Sequence, residues 1–109
     1  MGMITDTARL RQLRGQKMDL NFKIQQIVTE KTSLTNACND LMKVGTDYDR
    51  ESPVMKTLQQ RQAKLKVLEE KLDQQMQEYQ LQLQMNDAEY TSCKQRLSQE
   101  IQEEMSYSL

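Results

Sequence analysis

The chain has no His, no Trp, one Pro, one Phe, three Gly and two Cys in 109 residues. Without His, the commonest general base and metal ligand is missing. Gly2, Gly15 and Gly45 are scattered, so there is no Gly-rich loop to cradle a phosphate. Cys38 and Cys93 are too few for a disulfide framework, and neither has a CxxC partner or a His. They read as small buried hydrophobes or, alternatively, as an intersubunit disulfide or a redox sensor. Apolar runs are no longer than clusters such as Leu41-Met42, where a membrane span needs about 20 residues. Residues 1–30 also lack the apolar core, about 7–15 residues long, of a cleavable secretion signal. Excess positive charge is absent too: the net charge is −1, and phosphate neutralisation needs a basic surface. These absences predict no catalysis, no cofactor, no metal, no nucleic acid and no membrane insertion. The expected location is the cytoplasm, or outside it by a route that reads no cleavable signal.

What remains is a polar chain with helical periodicity. Hydrophobic residues make up 37% and charged residues 28%, a balance that favours long solvated helices over a compact globule. From about residue 6 to Val44 the apolar row alternates in steps of three and four. It runs Leu10, Leu13, Lys17, Leu20, Ile24, Ile27, Lys31, Leu34, Cys38, Leu41. This is a coiled-coil seam. Lys17 and Lys31 either snorkel from it or pair with acids across it. Thr5, Asp6 or Thr7 is the expected N-cap, and Gly45 the C-terminal cap. Residues 45–52 form a turn-rich loop, and Ser52-Pro53 supplies an N-cap followed by a first-position proline.

Helix two is expected from Pro53 to about Ser106. Read from Leu58 through Arg61, a strict heptad fails repeatedly along it. The row Leu68, Tyr79, Tyr90, Ile101 instead repeats every eleven residues, the pattern of a straighter helix. The fold class is therefore all-α, a single domain over 1–109, in which two long helices form an antiparallel hairpin. In that hairpin Cys38 and Cys93 lie too far apart to bridge.

Such a hairpin covers one stripe per helix, yet further apolar residues stand outside it. They are Met18, Phe22, Val28 and Met42 on helix one, and Val54, Met55, Val67, Leu81 and Met85 on helix two. A small helical pair gains little core of its own, so homo-oligomerisation or docking to other helical proteins is expected. Helix two should also outlast helix one. Its end carries Leu97, Ile101, Met105 and Leu109 in steps of four beside Glu100, Glu103 and Glu104, whereas the start of helix one carries Arg9, Arg11 and Arg14. A head-to-tail contact between such ends propagates if it does not close. Leu97, Ile101, Met105, Leu109, Arg9, Arg11, Arg14, Phe22 and Val28 are the candidate subunit-interface residues.

On Ser52-Pro53, Ile101, Met105 and Leu109, the outline resembles the helical needle and filament subunits exported by type III secretion and flagellar-type systems. The chain departs from them in having one proline at the turn, where needle subunits typically have two, and in its two cysteines. The resemblance implies a self-assembling structural subunit that partners itself. The competing expectation is a cytosolic coiled-coil adaptor or chaperone, either an export-apparatus stalk protein or a prefoldin. Residues 45–52 are too short for the β-hairpin a prefoldin needs.

Overall fold

A computed structural model describes residues 2–46, 48 and 51–108. Among these, all regular structure is helical: α1, Met3–Gly45, and α2, Pro53–Ser108. The helices pack against each other as an all-α hairpin. The antiparallel sense follows from its cross-helix pairs, which join Arg9 to Glu89 and Lys31 to Asp73.

The start of α2 is built as the sequence predicts. Ser52 Oγ accepts a hydrogen bond from the Met55 backbone N–H at 3.1 Å, and Pro53 occupies the first helical position. The ends of α1 differ from expectation. The helix begins at Met3, so Thr5, Asp6 and Thr7 are inside it and none is the N-cap. The Asp6 N–H already donates to the Gly2 carbonyl at 3.1 Å. Local capping preference loses here because Asp6 belongs to the packed face and is only 1% exposed; tertiary packing sets the helix start.

At the other end, Gly45 is the last helical residue and takes no left-handed conformation. Thr46 closes the turn instead, its N–H and Oγ1 both donating to the Lys43 carbonyl at 3.3 and 2.7 Å. Gly45 faces Met55, whose methyl carbon would lie 3.6 Å from an added Cβ, an ordinary contact. Helix two runs to Ser108, two residues beyond expectation.

The packed row of α1 is the predicted heptad, except that Lys17 is exposed, and it extends to Met3 and Asp6 at one end and to Gly45 at the other. The eleven-residue reading of α2 is overturned. Its buried and half-buried row is Met55, Leu58, Gln62, Leu65, Glu69, Leu72, Met76, Tyr79, Leu83, Asn86, Tyr90, Cys93, Leu97, Glu100, again alternating three and four. Leu68 and Ile101 are off this row, 47% and 43% exposed. A heptad does run through α2: it keeps the Leu58, Leu65, Leu72 sub-row, and its other sub-row falls at Gln62, Glu69 and Met76, each one residue past Arg61, Leu68 and Gln75.

The chain divides into two compact units, Met1–Lys23 with Tyr79–Leu109, and Ile24–Glu78. In the first, Leu13 and Cys93 are fully buried, with Leu20, Asp6 and Asn86 nearly so. In the second, Ile27 and Leu58 are the buried hydrophobic residues, and Leu34, Leu41, Leu65 and Leu72 are half-buried.

Candidate interaction surface

The surface features of the first unit follow from its register. Asp6 stands at the level of Cys93, and Cys93 Sγ donates to the Asp6 carbonyl at 3.4 Å. Helix α1 begins at Met3, three residues upstream of Asp6, whereas α2 continues through Ile101, Met105 and Tyr107 to Ser108. Beyond Leu97 the seam positions turn polar, with Glu100 and Glu104. The apolar line steps by four instead, and so rotates away from the seam. Ile101 is 43% and Met105 62% exposed, and Ile4 on the adjoining surface of α1 is 88% exposed. Met3, Ile4, Thr7, Ala8, Arg11, Leu97 and Ile101 line one shallow groove.

The candidate basic residues divide. Arg9 is engaged within its own unit, forming an ion pair with Glu89 whose Nε–carboxylate distance is 2.9 Å, and also donating to Gln12 Oε1 at 2.7 Å. Arg14 donates to the Tyr90 hydroxyl from Nε and a terminal nitrogen at 3.2 and 3.1 Å. Arg11 is exposed and lines the groove. Of the apolar candidates, Leu97 is half-buried against α1, while Ile101 and Met105 are open. Phe22, in the first unit, and Val28, in the second, are both exposed, each on its own unit. Leu109 lies outside the described residues.

The remaining apolar residues expected outside the seam are exposed, with one exception: Met55 is half-buried opposite Gly45. Val28 does border a groove of its unit, beside Lys31, Thr32 and Met76.

The seam lysines pair with acids across it. Lys17 Nζ is 3.2 Å from Asp87, and Lys31 bonds Asp73. That hydrogen bond raises the Lys31 pKa above its ordinary value; burial opposes the rise, and the charges of Asp73 and Glu69 add to it. Tyr79 and Tyr90 pack in the seam and also carry cations, Lys23 lying 5.5 Å and Arg14 5.8 Å from their ring centres.

Cys93 and Cys38 are both free thiols, buried and half-buried respectively. Sequence reasoning missed Asp6 and Asn86 as seam residues. Asn86 Nδ2 donates to the Leu13 carbonyl at 3.1 Å and to Gln16 Oε1 at 3.2 Å. Asn86 is on the Leu58 sub-row, where it counts as a break in a purely apolar heptad.

Among the described residues, no group of three or more His, Cys, Asp or Glu is placed to hold a metal, and no helix is long and apolar enough to cross a membrane. Comparison with protein-family models, with curated proteins and with solved structures yields no match.

Proposed function

We propose that this chain is a self-assembling structural subunit without catalytic activity, which associates with copies of itself through the open end of its hairpin. The observation that carries this reading is the exposure of Ile101 and Met105, at helical spacing, on the last turns of α2. An exposed apolar row at helical spacing costs free energy in water and gains about 25 cal/mol for each Å² of apolar surface covered.

The occupant is a second copy. Its α2 end brings Met105 and the acid Glu103, and the groove offers Met3, Ile4, Ile101 and the exposed cation Arg11. The contact joins two different surfaces, so it builds rings or filaments according to whether the rotation closes. In this reading the groove contacts come from Arg11; Arg9 and Arg14 serve the hairpin itself.

The test is assembly size against dilution, by light scattering and negative-stain microscopy. Full-length protein is expected to form concentration-dependent polymers. Removing residues 97–109, or the double change Ile101→Asp with Met105→Asp at exposed sites, should abolish them with helical circular dichroism retained. Polymers that survive both changes would sink the overhang contact. A dimer or tetramer unchanged by dilution would favour the adaptor or chaperone reading.

A further inference from the structure

The outer face of α1 in the first unit carries a second row at coiled-coil spacing. Ile4, Ala8, Arg11, Gly15, Met18 and Phe22 follow one another in alternating steps of four and three. All belong to the segment Met1–Lys23 and all are exposed, Ile4 at 88%, Met18 at 72% and Phe22 at 64%. None is on the row that packs against α2. Large apolar side chains on one line of one helix form a patch, where single exposed residues need no explanation. We infer that this face pairs, antiparallel and about a two-fold axis, with the same face of a second copy of the chain.

Self-complementarity identifies the occupant. Antiparallel pairing about the middle of the row sets Ile4 beside Phe22 of the second copy, Ala8 beside Met18, and Arg11 beside Gly15. The two-fold axis repeats each pair. Two of the three pairs set a long side chain against a small residue, which lets facing layers interdigitate. A Cβ added at Gly15 would meet nothing within 4 Å, so the space over that backbone is open to the stem of Arg11. A parallel pairing would instead stack Arg11 on Arg11 and bring like charges together.

Charge supports the same alignment. The other cations of the segment are engaged within their own unit: Arg9 with Glu89, Lys17 with Asp87, Arg14 at the Tyr90 hydroxyl and Lys23 over the Tyr79 ring. Asp6 is buried against Cys93. Among the described residues, Arg11 and Asp19 make no ion pair and no side-chain hydrogen bond. In the antiparallel pair Arg11 stands one helical turn from Asp19 of the second copy, within reach of its long side chain, and the symmetry makes that contact twice.

The row covers about five helical turns. So short a contact is at the small end of specific interfaces, and the pair should come apart on dilution. Ile4 and Arg11 also line the groove that receives the α2 end in the assembly reading. One α1 therefore serves one contact at a time, and the pairing does not rest on that reading.

The test uses the full chain with Ile101→Asp and Met105→Asp, which removes the α2-end contact and leaves α1 unchanged in sequence. Sedimentation equilibrium should show monomer and dimer in a ratio that shifts with dilution. Adding Met18→Asp with Phe22→Asp should leave only monomer, with helical circular dichroism retained. Arg11→Asp or Asp19→Arg alone should weaken the dimer about tenfold through two exposed ion pairs, and the two together should restore it. For orientation, Ala8→Cys chains are mixed with Met18→Cys chains in a Cys38→Ser background. Mild oxidation should link one chain of each kind.

Monomer at every concentration, a dimer indifferent to Met18→Asp with Phe22→Asp, or charge reversals that fail to rescue each other would overturn the pairing. Cross-links of Ala8→Cys chains chiefly to one another would overturn its antiparallel sense. Polymers that persist in the Ile101→Asp, Met105→Asp chain would count against the α2-end contact alone, and the cross-link would still read the pairing.

Discussion

The two units use the same heptad for different ends. In Met1–Lys23 with Tyr79–Leu109, polar side chains occupy deeply buried seam positions and each meets a particular partner: Asp6 meets Cys93, and Asn86 meets the Leu13 carbonyl and Gln16. In Ile24–Glu78 the buried centre is aliphatic, and the polar contacts, such as Lys31 with Asp73, are at the wet margin. Aliphatic contact is non-directional and tolerates sliding by a heptad. A buried hydrogen bond is satisfied in only one register. The first unit therefore gives up some stability for a unique alignment, and the second unit gains most from area.

The largest expected break in this comparison comes from Leu13→Ala. Leu13 is fully buried, and its truncation should cost about 2–5 kcal/mol, the range for large-to-small core changes. Leu58→Ala, at a site 7% exposed in the second unit, should fall toward the lower end of that range. Urea unfolding followed by circular dichroism ranks the pair; a reversed order would contradict the burial argument.

Next is Asn86→Leu. Removing a buried polar group whose Oδ1 has no hydrogen-bond partner should raise the thermal midpoint while loosening alignment. Backbone amide spectra should then show more than one set of peaks for the first unit. A single sharp set with a lowered midpoint would show that Asn86 supplies stability and not register.

The smallest effect belongs to Asp73→Asn. The Lys31–Asp73 pair is largely solvent-accessible, so the midpoint should drop slightly and the drop should vanish in high salt. Because Lys31 is raised above its ordinary value, the contribution is fully present at neutral pH. It is lost only as pH rises through the raised value in the alkaline range. A difference between Asp73→Asn and the parent that persists above that range would require another cause.

Much of the architecture was legible. The α1 row with its two lysines, the Ser52-Pro53 start of α2 and the excess length of α2 each follow from spacing or local backbone chemistry. The phase of α2 was not read correctly, because Gln62, Glu69, Asn86 and Glu100 occupy its packed row, while Leu68 and Ile101 attract attention to the exposed side. Hydrophobic counting cannot distinguish a polar residue held by a partner from one in water. The same blindness hid Asp6, which looks like a helix cap until its neighbours across the seam are known.

Sequence by itself determined two long amphipathic helices, the turn between them and an apolar row at the end of α2, since 3.6-residue periodicity and proline stereochemistry act within a few residues. Only the tertiary structure decided which row of α2 is packed, which arginines are already engaged, and that Asp6 is buried against Cys93. Those outcomes depend on register between segments some ninety residues apart, and register is fixed by the summed fit of both helices, not by any one residue's preference.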